Sequence, residues 1–364
     1  MVTRTLSNPR VTRVLPRGDW LDETGVEVEP AVPNFLPQLQ VAGRASRLDL
    51  ANWLTDPDQY VGLLTGRVMA NRIWYLLMGS GVCRSLDDFG GQAEPPRNIE
   101  LLDRLGWEFV ESGWDVKHLI RTIVSSQTYR QSSAVSAEQM ERDPYNQWFG
   151  RQDRYRLPAE FLRDNLLAIS GLLKADEVGG RSVKPFQPAG YYQHLNFPPR
   201  KYKSDQGSSQ WRRGLYMHWQ RQFLHPTLKS MDAPSREECT ATRPRSNTPL
   251  AALAMLNDPS FLAAAHAFAL QLQEQSGLSI KEKISLGFEK ATSRSPDQIE
   301  LAILEQLYSK TLKEYQESPD ESARLLDESL LGDSVNDAKQ KTELAAWIAV
   351  TRALLNLDET VTRN

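Results

Sequence analysis

Apolar side chains recur every three or four residues over most of this chain, which is the spacing of one face of an α-helix. The clearest stripes run through residues 101–110 and 116–124. Between them, Ser112-Gly113 is typical of a helix end and Asp115 of a helix cap. The pattern therefore predicts two antiparallel helices that pack face to face.

Weaker stripes and cap signals predict further helices along the chain. The stripes cover about residues 48–54, 63–77, 158–173 and 337–357, and three more helix starts are indicated by Thr248-Pro249, Asp258-Pro259 and Ser295-Pro296. Ser, Thr and Asp accept hydrogen bonds from the first turn of a helix, and proline has no amide hydrogen to lose there. The predicted fold class is therefore mainly α.

Two regions break the helical pattern. Residues 1–46 are punctuated by proline and predict an extended N-terminal arm, which drapes over the helical part or hangs from it. About residues 179–248 are rich in proline and aromatic residues and predict an irregular insert with a few short strands, with residues 214–219 (GLYMHW) as the best strand candidate. The predicted organisation is the arm followed by a single mainly helical domain over residues 47–364.

Composition narrows the possible classes of protein. The 364 residues are 40% hydrophobic and 24% charged, which is typical of a soluble globular protein. The formal net charge of −3 provides no basic field and argues against a nucleic-acid partner. Every apolar run is shorter than the roughly 20 residues of a membrane span. The N-terminus lacks a secretory apolar segment, so the chain is expected to be cytoplasmic if it is complete.

The sequence contains few of the motifs that bind a metal or a haem. Cys83 and Cys239 are too few for a zinc cluster, and they form either one disulfide or, as we favour, two separate buried thiols. There is no C-x-x-C-H motif for covalent haem. His218 and His225 are the closest pair of histidines, but their spacing fits no metal motif. We therefore expect no cofactor and no metal in this chain.

The densest run of charge precedes the helix start at Thr248, in what we call the arginine-rich loop (residues 231–248). Its candidate residues are Asp232, Arg236, Glu238, Cys239, Arg243, Arg245, Asn247 and Thr248. Arginine side chains suit oxyanions, so the three arginines can hold a carboxylate, a sulfate or a sugar acid. The competing interpretation, which the local charge balance favours, is that Asp232, Glu237 and Glu238 pair with the arginines and fix the loop.

A secondary set of candidates lies nearer the N-terminus. Asn71 and Arg72 fall in the middle of a predicted helix, and Asp87 and Asp88 fall in a glycine-rich loop. Paired carboxylates can bind a divalent cation or act as acid and base. More often such a pair caps a helix or anchors an arginine, and we favour that interpretation here.

Aromatic residues of the insert offer another possible binding surface. Tyr191, Tyr192, Trp211 and Trp219 can stack on the rings of a carbohydrate, since flat apolar faces beside polar side chains suit sugars. The alternative is that these rings fill a core beneath a long loop, and we favour the core.

Several long segments, in order, resemble the planctomycete-specific domain of unknown function 1553. They are RLDLANWLTDP, RVMANRIWYLLMGSGVCRSLDDFGGQAEPP, ELLDRLGWEFVESGWDVKHLIRTIVSSQTYRQSS, DAPSREECTATRPRSNTPLAALAMLNDPSF and AAWIAVTRALLNLDETVTRN, and the RVLPRGDW arm also fits. The resemblance covers nearly the whole chain. One departure is Arg97-Asn98, where the family typically has a histidine after the two prolines, and this weakens a metal role for that loop.

The resemblance implies a context rather than an activity. Domains of this kind usually lie C-terminal to a planctomycete cytochrome-c-like domain in an extracytoplasmic, for instance periplasmic, multidomain protein. A cytochrome-c-like domain or a companion helical domain is therefore an expected partner, and haem is expected only on an upstream domain outside this chain.

Two functions of different classes remain open. The first is a noncatalytic binding or interaction module of such a cytochrome-c-like protein. The alternative is an enzyme that acts on an anionic saccharide or another small anionic substrate through the arginine-rich loop. The scarcity of recognisable catalytic spacing, such as a G-x-S-x-G motif, favours the first, but the sequence leaves open whether the chain is an enzyme.

Overall fold

The computed structural model describes residues 6, 8–192, 201–221, 223–332, 335 and 337–363. Over these residues the chain is mainly helical, with fourteen α-helices and two strands of two residues each, which confirms the predicted fold class. The chain divides into two compact units, Met1–Asp153 and Arg154–Asn364. The predicted single domain over residues 47–364 stays a prediction, because compactness alone does not show whether either unit folds independently.

The first unit contains five helices. They are α1 (Arg47–Thr55), α2 (Tyr60–Met78), α3 (Ile99–Glu111), α4 (Val116–Ser125) and α5 (Ala137–Arg142). The predicted hairpin of α3 and α4 is confirmed: Leu105 and Phe109 share one buried cluster with Leu119 and Ile123. Helix α2 approaches α3 closely at Gly106, where a Cβ atom would lie 2.9 Å from the side chain of Arg67.

The arm contains no α-helix among its described residues. A short 3-10 turn spans Pro16–Gly18, and Arg13 pairs with Glu27 in an isolated antiparallel bridge. Further along, the indole Nε1 of Trp53 in α1 donates a 2.7 Å hydrogen bond to the carbonyl of Pro37. This contact ties the later part of the arm to the first helix.

The second unit is built around a helical core. Its helices are α6 (Ala159–Ile169), α7 (Pro226–Ser230), α8 (Pro249–Asn257), α9 (Pro259–Gln273), α10 (Ile280–Thr292), α11 (Gln298–Glu317), α12 (Pro319–Glu328), α13 (Ala338–Leu355) and α14 (Asp358–Val361). Helices α9 and α13 are buried along most of their length, with Phe268 and Trp347 among the largest enclosed side chains. None of the described helices combines the length and apolarity needed to cross a membrane.

A two-stranded antiparallel pair joins the two ends of the second unit. Strand β1 (Tyr155–Arg156) pairs with β2 (Thr362–Arg363), so that Tyr155 faces Arg363 and Arg156 faces Thr362. Residues separated by most of the unit's sequence therefore lie side by side. This pair positions the site described below.

The predicted strand over residues 214–219 is wrong. Gly214–Tyr216 form a 3-10 helix, and only Met217 makes an isolated bridge, to Val183. The Gly214 amide donates to the Asp164 carboxylate at 2.7 Å, and a Cβ atom on Gly214 would lie 2.9 Å from the Glu160 carbonyl. Close packing against α6 thus overrides the local preference for a strand.

The predicted helix start at Ser295-Pro296 is displaced by two residues. Helix α11 begins at Gln298, with Asp297 as its cap, because the Asp297 carboxylate accepts from the amides of Ile299 and Glu300. The other predicted caps, Asp115, Thr248 and Asp258, are confirmed. Within the insert, residues 193–200 and 222 lie outside the described residues.

Candidate functional site

Two arginines of the arginine-rich loop share one carboxylate. Arg243 Nη1 lies 2.8 Å from Glu160 Oε2, and Arg236 Nη2 lies 3.6 Å from Glu160 Oε1. Glu160 stands in the first turn of α6, and only 9% of its side chain is exposed. The helix N-terminus adds a favourable field for this carboxylate. Arg236 and Arg243 thus share one carboxylate from outside the loop, which offsets one of their two positive charges.

The sequence interpretation named the wrong acid partners for these arginines. Asp232 instead closes the base of the loop, where its carboxylate accepts from the Ser246 amide and hydroxyl, both at 2.6 Å. Asp232 and Arg236 both adopt left-handed backbone conformations, with φ of 60° and 61°. The Arg236 guanidinium lies 3.8 Å from the centre of the Trp219 ring, so that stacking as well as charge fixes this side of the loop.

The tip of the loop faces solvent. Glu238 and Cys239 are both exposed. Cys239 and Cys83 are free thiols, which excludes the disulfide, and Cys83 is buried as expected whereas Cys239 is not. Thr248 ends the loop as the cap of α8, where its hydroxyl accepts from the Ala251 amide at 3.2 Å.

Arg245 belongs to a different environment, an open groove beside the strand pair. Its guanidinium lies 4.3 Å from the centre of the Tyr155 ring. The groove is lined by Arg154, Tyr155, Arg156, Arg245, Ser246, Asn247, Asp358 and Thr362, and encloses about 930 Å³ between protein atoms, open solvent included. Strand β1, the end of the arginine-rich loop and the end of α14 therefore converge here.

The groove is cationic. Its lining contains three arginines and one aspartate, which leave a formal charge of +2. Arg154 pairs with Asp358 at 3.0 Å, and their side chains are 53% and 63% exposed. Arg156 Nη1 donates to neutral acceptors, the Asn247 side-chain oxygen at 2.7 Å and the Ser246 carbonyl at 3.5 Å. The arrangement favours an anion, because the positive charge of the lining exceeds its negative charge.

Three of the four secondary candidates have local structural roles. The Asn71 amide both donates to the Cys83 carbonyl, at 2.8 Å, and accepts from the Cys83 amide, at 2.9 Å, which fastens the following loop to α2. Arg72 is exposed. Asp87 accepts from the Ser85 hydroxyl, and Asp88 accepts from the Gly90 amide, so this pair folds its own turn. No group of three or more His, Cys, Asp or Glu side chains suited to a metal occurs within the described ranges.

The aromatic residues of the insert do not form an exposed platform. Tyr192 and Trp211 are 8% and 4% exposed and belong to the interior. Trp219 is covered by Arg236 and donates its indole hydrogen to the Pro234 carbonyl at 3.1 Å. The geometry therefore supports our preferred interpretation, in which these rings fill the interior.

The sequence did not predict a buried polar cluster that lies between α6, the start of α7 and the start of α9. His225 is 6% exposed, and its Nε2 hydrogen bonds to the Phe186 carbonyl at 2.7 Å. It lines a small cavity with Arg163, Thr227 and Asp258. Burial lowers the pKa of His225 and also that of Arg163. Nothing in the local sequence indicates this cluster, since its members come from three separate elements.

Fold and site together define a mainly helical protein with a cationic surface groove. Residues 46–308 match the family described as PSD1, Protein of unknown function (DUF1553). The match covers more than half of the chain, and the protein belongs to this family. No curated protein and no solved structure matches the chain.

Proposed function

We propose that the second unit is a noncatalytic binding module that holds a small anion, a carboxylate or a sulfate, in the groove beside the strand pair. The observation that carries this proposal is the convergence of Arg154, Arg156 and Arg245 around Tyr155 in a lining of net positive charge. Planar arginine forks match carboxylate and sulfate oxygens and form charge-assisted hydrogen bonds with them.

Preorganisation supports the same assignment. Arg156 is held by Asn247 and by the Ser246 carbonyl, and Arg245 rests against the Tyr155 ring. Side chains that are already restrained lose less conformational entropy when a ligand arrives. The printed acceptors of Arg156 are neutral, so their hydrogen bonds restrain this side chain without offsetting its positive charge.

The exposure of the groove favours binding over the alternative, catalysis on an anionic saccharide. Asp358 is the acid in the lining, and it is 63% exposed and paired with Arg154. Catalytic groups gain most of their electrostatic effect in sites that exclude water. Arg236 and Arg243 already pair with a carboxylate of the protein, Glu160.

Calorimetric titration with sulfate and with succinate at low ionic strength tests the groove. We expect binding by the intact chain, weakened about tenfold or more by Arg156→Ala or Arg245→Ala, because a hydrogen bond to a charged group contributes about 1.5–3 kcal/mol. Arg324→Ala is the matched control, since Arg324 is 80% exposed and pairs with Glu328 on α12. Equal affinity in all three variants, or no binding by the intact chain, would refute the proposal.

We further propose that this module works beside a cytochrome-c-like or companion helical domain in an extracytoplasmic protein, with any haem on that upstream domain. Support comes from the family resemblance, which implies this arrangement. The upstream reading frame tests it: a signal peptide and a C-x-x-C-H motif are expected, and an upstream frame without either contradicts the proposal.

A further inference from the structure

We infer that the first unit carries a separate binding site for a uronic acid residue, a sugar ring with a carboxylate, in a cleft lined by Arg84, Arg97 and Tyr145. This site goes beyond the proposed function, because it lies in the other unit and rests on different residues.

Three loop segments form the cleft. They contribute residues 80–84, residues 94–97 and residues 145–149, and the cleft encloses about 340 Å³ between protein atoms, open solvent included. The cleft is shallow, so a ligand would rest against its walls rather than be enclosed by them.

A partly buried hydrogen-bond network holds two of these segments in place. The Asp153 carboxylate accepts from the Ser80 hydroxyl at 2.8 Å and from the Asn146 amide at 2.7 Å. Asn146 is only 3% exposed. The Asn71 amide fixes the backbone of Cys83 from the opposite side. Two of the three segments are therefore held in place by side-chain hydrogen bonds that need no ligand.

Residues 145–149 adopt an unusual backbone conformation. Asn146 and Phe149 have φ of 48° and 51°, which is rare for an aromatic residue. Phe149 is held there by an edge-on contact with Trp74 at 5.1 Å and by a hydrogen bond from Gln131 to its carbonyl. Tyr145, at the start of the same segment, is presented at the surface, where it is 68% exposed. Such strain is often retained where the presented side chain has a function.

The polar groups of the cleft suit an acidic sugar. Arg84 lies 5.6 Å from the centre of the Tyr145 ring, and Arg97 Nε donates to the Gln147 side-chain oxygen at 3.0 Å. In the part of the chain that the structure describes, neither arginine has an acidic partner within salt-bridge distance, and Glu94 has no basic one. The arginines can therefore bind a carboxylate, Glu94 can accept from hydroxyl groups, and Tyr145 offers a flat face to the ring.

Calorimetric titration with D-glucuronate, compared with D-glucose, tests this site in the Arg156→Ala/Arg245→Ala chain, so that the groove of the second unit does not contribute. We expect glucuronate to bind and glucose to bind about tenfold more weakly or worse. Tyr145→Ala and Arg84→Ala should each weaken glucuronate binding by about tenfold or more, and Tyr145→Phe should retain most of it.

Trp148→Ala is the matched control. Trp148 is 65% exposed and lies three residues from Tyr145, but it does not line the cleft. Its replacement should leave glucuronate affinity unchanged. The site is overturned if the background chain does not bind glucuronate, if glucose binds equally well, or if Tyr145→Ala, confirmed as folded by its near-UV spectrum, binds as before. Because sulfate binding at the groove is measured separately, either proposal can fail without the other.

Discussion

Replacing Arg236 and Arg243 together isolates the Glu160 carboxylate, whose side chain is 9% exposed. Removing the partners of a fully buried charge costs about 3–5 kcal/mol. The two arginines are 49% and 39% exposed, however, so water already screens part of their attraction to Glu160. Discounted for this screening, the expected loss of unfolding free energy from the charge is about 1–3 kcal/mol.

A third substitution, Glu160→Gln, separates the contribution of charge to the unfolding free energy from that of packing. Arg236→Ala also removes the stacking on Trp219, worth about 0.5–1 kcal/mol at an exposed site. Glu160→Gln, added to the double variant, removes the unpaired charge but not the stacking loss. The triple variant should therefore regain most of the charge contribution. Glu160→Gln alone should cost about 1 kcal/mol or less, because both arginines can turn towards water.

Urea unfolding followed by circular dichroism measures each free energy, with the slope against urea checked for constancy. A triple variant no more stable than the double variant would refute the reasoning, because the loss would then arise from packing rather than from charge. A Glu160→Gln variant as unstable as the double variant would also refute it, since Glu160 would then act through interactions other than these two arginines.

Three further predictions concern stability. Leu105→Ala should lower the unfolding free energy by about 2–5 kcal/mol in urea, because Leu105 is 5% exposed within the α3–α4 core, and a loss below about 1 kcal/mol would contradict this packing. Burial lowers the pKa of His225, so the unfolded chain binds its proton more readily and stability should fall as the pH drops below about 6.5. His225→Gln should flatten that slope in urea titrations across pH, and an unchanged slope would contradict this reasoning. Hydrogen bonds from Arg294 lower the pKa of Glu300 to about 2, so the stability that they contribute should be lost as the pH falls from about 4.5 towards 2. Glu300→Gln should remove this part of the acid dependence of the melting temperature.

Helix positions were predictable because capping acts within a few residues. The Asp115 carboxylate accepts from the amides of Lys117 and His118, and Thr248 accepts from Ala251, three residues away. Each cap is therefore visible in a short window of sequence. The error at Ser295 has the same local origin, because Asp297 forms a complete capping box with Glu300 and so provides the stronger cap.

The contents of the site were only partly predictable. The run of charge before Thr248 made Arg245 a candidate, but the sequence could not separate it from Arg243. Glu160, which neutralises Arg243, is 83 positions away. The same holds for the groove, where the Arg363 side chain reaches the Tyr155 hydroxyl, 208 positions away, at 3.0 Å. Pairings over such distances leave no trace in local spacing.

The sequence by itself determined the mainly helical class, most helix starts and the concentration of arginine before α8. Only the tertiary structure decided which arginines pair with Glu160 and which line an open groove. The physical reason is the sequence separation of the interacting residues. Caps and apolar stripes depend on neighbours within one or two turns, whereas the balance of charge at Glu160, and its excess beside Tyr155, depends on the packing of α6, β1 and β2 against a loop distant in sequence.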